Sequence, residues 1–160
     1  MATKPTLPSG KILVDASLLI GILDEDKEAC LFVPLLSRCV VTSINFGEVL
    51  YKSEELLGAD PQKVESAFVG LGLQIKSFGL SGARNFSLLK EIDSASRKGQ
   101  SSAGVKAEKI KSLSLADIVC LSYGLETGLP ILTGDKHWCT LNRYGFSGTV
   151  FDFASPSTTF

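Results

Sequence analysis

Short apolar runs alternate with longer amphipathic stretches along nearly the whole chain, and this alternation constrains the fold more than any other feature. Ile12-Leu13-Val14, Val40-Val41-Thr42 and Pro130-Ile131-Leu132-Thr133 are strand-sized and too apolar for a strand with one wet face. Near-continuous apolar strands belong to parallel sheets covered on both sides. Leu73–Phe78 alternates apolar and polar residues and reads as a partly exposed strand; Thr149–Phe153 reads as a fifth. Helices are predicted near 17–23, 26–37, 44–57, 61–70, 81–97, 105–111, 114–127 and 136–143. Asp60-Pro61 starts one of them with a capping acid and a first-turn proline, and Gly58 and Gly128 stop others. Lys98-Gly99-Gln100-Ser101-Ser102-Ala103-Gly104 is expected to break the helix into a loop over 97–112. Strands alternating with helices give an α/β fold: a three-layer α/β/α sandwich around a mainly parallel sheet of about five strands. A chain of 160 residues corresponds to one domain. We expect its core over 11–153, with short flexible ends.

Charge and cysteine usage narrow the class. Sixteen Lys and Arg against 17 Asp and Glu give a net charge of −1, so nucleic-acid contact would need a local patch rather than bulk charge. No apolar run reaches the ~20 residues that cross a bilayer, and Met1–Lys11 lacks the apolar core of a secretory signal. Cys30, Cys39, Cys120 and Cys139 are scattered without a C-x-x-C pair. The first three sit among apolar neighbours and read as small hydrophobes rather than metal ligands or disulfides. A cytoplasmic protein without membrane association is the expectation.

Four of the acids fall at special places. Asp15 ends the first strand, Glu48 lies one turn into the helix after the second, Asp117 interrupts the apolar run from Leu113 to Leu121, and Asp135 follows the fourth strand. In an open parallel sheet, ligands bind beyond the carboxyl ends of the strands where the strand order reverses. Asp15, Glu48 and Asp135 open onto that edge; Asp117 joins them if a loop intervenes before its helix. Four converging carboxylates repel one another unless cations neutralise them. Hard oxygen donors without Cys or His suit Mg²⁺ or Mn²⁺, which activate water for phosphodiester hydrolysis. Each acid also has a local explanation: Asp15 and Asp135 as helix caps, Glu48 as the i,i+4 partner of Lys52, and Asp117 as the last member of a capping box begun by Ser114.

The order of the segments Ile-Leu-Val-Asp15-Ala-Ser17, Thr-Ser-Ile-Asn-Phe-Gly-Glu48-Val, Leu-Ser-Leu-Ala-Asp117-Ile-Val and Ile-Leu-Thr133-Gly-Asp135-Lys resembles the PIN-domain ribonucleases, in particular the VapC-type toxins of toxin–antitoxin pairs. The resemblance implies an α/β/α fold and metal-dependent RNA cleavage, with Asp15, Glu48, Asp117 and Asp135 as both catalytic and metal-binding acids for Mg²⁺ or Mn²⁺. It implies that Ser17 and Thr133 orient these ligands or a metal-bound water. It also implies a homodimer, a protein antitoxin as partner, RNA as substrate, and products with a 3′-hydroxyl and a 5′-phosphate. The stretch from Gly58 to Leu113 carries no motif of the family.

Around the acids, RNA needs cations. Between Arg84 and Lys111 basic residues outnumber acidic ones, and Lys106, Lys109 and Lys111 are the candidate phosphate contacts; a solvated helical face is the plainer meaning of such a run. His137 and Trp138 follow Asp135, but a metal centre makes a histidine base unnecessary, and a buried aromatic is the simpler account of Trp138. Other phosphate and metal sites fit worse. Ser17 stands where a haloacid-dehalogenase-like phosphatase needs its second aspartate, and there is neither a Walker A loop nor a G-x-G-x-x-G after a strand. The alternative to an enzyme is a catalytically silent PIN-like scaffold that binds RNA or protein.

Overall fold

The computed structural model describes residues 7–154. Of the flexible ends expected on either side of 11–153, residues 1–6 and 155–160 lie outside the described residues. Five strands form one sheet: β1 (Ile12–Val14), β2 (Cys39–Thr42), β3 (Gln74–Lys76), β4 (Ile131–Thr133) and β5 (Val150–Asp152). All pairings are parallel, in the order β3-β2-β1-β4-β5. The strands are connected through α1 (Ala16–Leu23), α2 (Lys27–Cys30), α3 (Ser43–Leu57), α4 (Pro61–Gly70), α5 (Leu80–Ala83), α6 (Phe86–Ser102) and α7 (Leu115–Thr127), with 3₁₀ turns at Val33–Arg38, Ala107–Lys109 and Trp138–Tyr144.

Alternate strand residues feed two cores, as the period of two requires. Ile12, Val14, Val41, Leu132 and Phe151 pack with Leu18 and Leu19 of α1, Phe46 and Val49 of α3 and Phe68 of α4. Leu13, Val40, Ile131 and Val150 pack with Leu89 and Ile92 of α6, Ile118 and Leu121 of α7, and Trp138. The central strands are therefore buried on both faces, which is why they read as continuous apolar runs. β3 is the exception: it lies at the edge, and half-exposed Gln74 with exposed Lys76 blunt it against further pairing. The three-layer α/β/α sandwich expected from sequence is the observed one.

The local differences have identifiable causes. The helix expected over 26–37 is split into α2 and a 3₁₀ turn, because Pro34 lies at the start of that turn and disfavours helical geometry before it. The stretch 105–111 forms only the short 3₁₀ turn Ala107–Lys109, and 136–143 is also 3₁₀. The helix expected over 81–97 is two elements, and the second runs on to Ser102. It passes through Gly99, where the Tyr144 ring and hydroxyl leave no room for a Cβ, and it ends before Gly104, whose φ is +83°. The four cysteines are free thiols, Cys39 and Cys120 buried and Cys30 and Cys139 partly so.

Candidate functional site

The strand order places β1 in the middle, with β2 and β3 on one side and β4 and β5 on the other. The chain thus reverses direction across the sheet between β1 and β4, whose carboxyl ends lie side by side with Val14 opposite Leu132. This is the topological switch point of an open α/β sheet. A cavity of about 620 Å³ opens there, and its lining includes Asp15, Glu48, Asp117 and Asp135 together with Ser17, Asn45 and Lys52. The four acids expected from sequence therefore share one cavity. The placement of Asp117 depends on residues 103–114: this loop carries the chain back to the carboxyl edge before α7 begins at Leu115.

Each acid is held differently. Asp15 occupies the N-cap position of α1, but its side chain makes no cap hydrogen bond. Instead Oδ1 accepts from the Ser17 hydroxyl at 2.6 Å and Oδ2 from the Thr133 hydroxyl at 2.7 Å. Ser17 Oγ also accepts from the Gly134 N–H at 2.9 Å, and Thr133 Oγ1 from the Asp135 N–H at 3.0 Å. The two hydroxyls thus lock the end of β1 to the end of β4. Gly134 is required for this closure: a Cβ there would stand 2.8 Å from the Phe153 ring and 3.3 Å from Ser17 Oγ. Glu48 pairs with Lys52 at 2.6 Å, both half-buried on the cavity wall. Asp117 accepts from the Ser114 N–H at 2.8 Å in a complete capping box, and Asp135 accepts from the His137 N–H at 2.9 Å. The local roles foreseen for Glu48 and Asp117 are real, and both residues reach the shared cavity while fulfilling them.

The electrostatics record the crowding. Burial pushes the Asp15 carboxyl up from its ordinary 3.8 to about 6, against the pull of the Ser17 and Thr133 hydroxyls, and the charge of Asp117 adds to the rise. Asp117 is also raised, first by burial and then by Asp135 and Glu48. Lys52, the cation on the lining, is raised by its hydrogen bond to Glu48. As donors for a metal the residues fit by chemistry, since all are hard carboxylate oxygens. By position they stand apart: among the described residues no group of three or more His, Cys, Asp or Glu is close enough to hold an ion.

Sequence reasoning missed several lining residues. Asp24, Asp26 and Glu28, in a run of mixed charge that singles out none of them, rim the cavity, and Asp26 also caps α2 through the Ala29 N–H. Asn45 lies inside the Glu48 segment and lines the cavity as well. Its signal was its position, one turn before Glu48 and three residues after Thr42 at the strand end. Lys106, Lys109 and Lys111 are exposed on the loop before α7 and do not line the cavity. Neither His137 nor Trp138 lines it either; Trp138 is buried in the second core.

No protein-family model matches the chain, and no curated protein matches its sequence. Solved structures do match. The VapBC of Salmonella typhimurium, in a DNA-bound crystal structure, superposes with a TM-score of 0.58 at 15% identity over 90% of this chain and 98% of that one. VapBC2 from Rickettsia felis, bound to a DNA fragment from its promoter, gives 0.59 at 12% identity over 88% and 97%. FitAcB from Neisseria gonorrhoeae gives 0.60 at 16% identity over 89% and 98%. At such identities the likeness establishes the fold, which is the PIN-domain fold of these VapC-type neighbours.

Proposed function

We propose that this chain acts as a single PIN-like domain and is a metal-dependent endoribonuclease of the VapC type, cleaving RNA at the acid-lined switch point. The observation that carries the reading is the convergence of Asp15, Glu48, Asp117 and Asp135 on one cavity beyond the carboxyl ends of β1 and β4. Burial, with the neighbouring acids adding to it, raises Asp15 and Asp117, and a divalent cation would relieve both. Mg²⁺ or Mn²⁺ bound there would activate a water and stabilise charge at the leaving oxygen. The residues have distinct tasks. Asp15, clamped by Ser17 and Thr133, presents a carboxylate that cannot turn away. Glu48, now paired with Lys52, would be a second donor for the ion, and Lys52 would be the cation of the lining available to phosphate. Asp117 and Asp135 complete the donor set from α7 and the end of β4. Hydrolysis by this route leaves a 3′-hydroxyl and a 5′-phosphate.

The likeness to VapBC and FitAcB supports an antitoxin protein as partner and the toxin's place in a toxin–antitoxin pair; a homodimer as the working form is carried over from the resemblance in sequence. No helix among the described residues is long and apolar enough to cross a membrane, in keeping with a cytoplasmic site of action. A second reading, a silent PIN-like scaffold, draws on one observation: no three acids stand close enough to hold an ion as placed.

Cleavage of a mixed structured-RNA pool separates the two. The expected result is cutting in Mn²⁺ that stops with EDTA and with Asp15→Asn. Cutting that survives the substitution would contradict the assignment of the centre, and intact RNA together with no Mn²⁺ binding would favour the scaffold. Reversal of Lys106, Lys109 and Lys111 to Glu tests the substrate path: RNA binding should weaken and its salt dependence flatten. An unchanged salt slope would remove these lysines from it.

A further inference from the structure

Asn45 is a buried amide on the wall of the acid cavity, only 1% exposed, on the first turn of α3. Its Oδ1 accepts from the Thr42 hydroxyl at 2.5 Å, and Thr42 Oγ1 accepts from the Asn45 N–H at 3.1 Å. This pair orients the amide, so that Nδ2 donates to the Ala116 carbonyl at 3.0 Å, across 71 residues of chain. The Ala116 carbonyl belongs to the peptide unit that ends at the Asp117 nitrogen. On α3, Glu48 follows Asn45 by one turn and shares its face. Among the described residues no other side-chain hydrogen bond joins α3 to α7. A buried amide oriented at both ends therefore ties together the two helices that deliver Glu48 and Asp117.

We propose that Asn45 is a positioning residue for the divalent-metal centre: by tying α3 to the first turn of α7 it holds Glu48 and Asp117 at a set spacing across the cavity. The proposal rests on the metal-dependent nuclease reading above. The two carboxylates repel, so helices without the tie relax apart, and an incoming ion must draw them together. The loss then appears as metal affinity. Thr42 acts one step further out, by turning the amide.

Equilibrium Mn²⁺ binding, read from the loss of the paramagnetic signal of free Mn²⁺, tests this on the full chain. Two variants are compared with wild type. Asn45→Ala removes the amide, and Asn45→Asp keeps the acceptor for Thr42 while losing the donor to Ala116. Ser53→Ala is the control, because Ser53 is a fully buried polar residue on the same helix whose hydroxyl serves only the Leu50 carbonyl at 3.0 Å. Partners that orient metal ligands typically change affinity about 10–100-fold, so both Asn45 variants should raise the Mn²⁺ dissociation constant at least tenfold. Ser53→Ala should leave it within about twofold, whatever its melting temperature. RNA cleavage should show the same rise in the Mn²⁺ requirement with KM for RNA unchanged. Wild-type affinity in the Asn45→Ala chain would overturn the proposal, as would an equal loss in Ser53→Ala. A wild-type chain that neither binds Mn²⁺ nor cleaves RNA would overturn the nuclease reading itself, a result separate from the first two.

Discussion

Of the aspartates buried in this fold, Asp93 and Asp15 have opposite surroundings. Asp93, 3% exposed on α6, has a cation beside it: Arg97 approaches Oδ2 at 3.3 Å while Oδ1 accepts from the Leu113 N–H at 2.9 Å. Asp15, 7% exposed at the end of β1, has two neutral hydroxyls and, across the cavity, other acids. Asp93 does structural work with its charge compensated; it fastens the loop that leads into α7, helped by Gln100, which bonds both the N–H and the carbonyl of Lys111. Asp15 is fixed just as firmly with its charge left uncompensated by any neighbouring cation. A buried carboxylate that is rigid and lacks a counter-ion is costly to the fold, and that cost has a use if a divalent cation completes the site.

Exchanging charge for amide at the two positions should separate these roles. Asp15→Asn should lower Mn²⁺-dependent cleavage by two orders of magnitude or more, since even partners of metal ligands are worth about 10–100-fold, while the metal-free chain melts no lower than wild type at pH 7. Asp93→Ala should do the reverse. It leaves a buried N–H without its acceptor and frees the loop, at a cost of about 2–3 kcal/mol in denaturant unfolding, with a loss of cleavage by the folded protein well short of that in Asp15→Asn. Loss of both properties in both variants would break the comparison.

Thr133→Val comes next in size. It removes a hydroxyl that bonds both Asp15 and the Asp135 N–H, and should reduce cleavage about tenfold and stability by ~1 kcal/mol. The pH profile gives a further test. The Asp15 carboxyl is raised in the folded chain from 3.8 to about 6, so the folded state binds this proton more tightly than the unfolded state. The contribution is stabilising below about pH 4, is lost as pH rises toward 6, and stays lost above it. Metal-free unfolding should show that decline in wild type and a flatter profile in Asp15→Asn. Saturating Mn²⁺ should offset the decline at neutral pH.

Much of this arrangement was legible in the sequence. Three buried strands announce themselves as unbroken apolar runs, and Asp15 and Asp135 stand where such runs end. Glu48 and Asp117 were findable because an acid inside an apolar helical stretch needs a reason. What stayed hidden depends on packing between distant segments. Gly99 looks like a helix breaker until Tyr144 is seen against it, and Gly104 looks no different in sequence although it is the true stop. Asp93 reads as one more acid in a basic stretch, because nothing local reveals that Leu113 returns to it. Asn45 is similarly silent, its partner lying on α7.

Calorimetric titration of Mn²⁺ into the wild-type chain and Asp15→Asn at pH 7 addresses the central claim most directly. Saturable binding of one or two ions to wild type, lost in the variant, is the predicted result. Absence of binding to wild type, or equal binding to both, would contradict a metal centre built on Asp15.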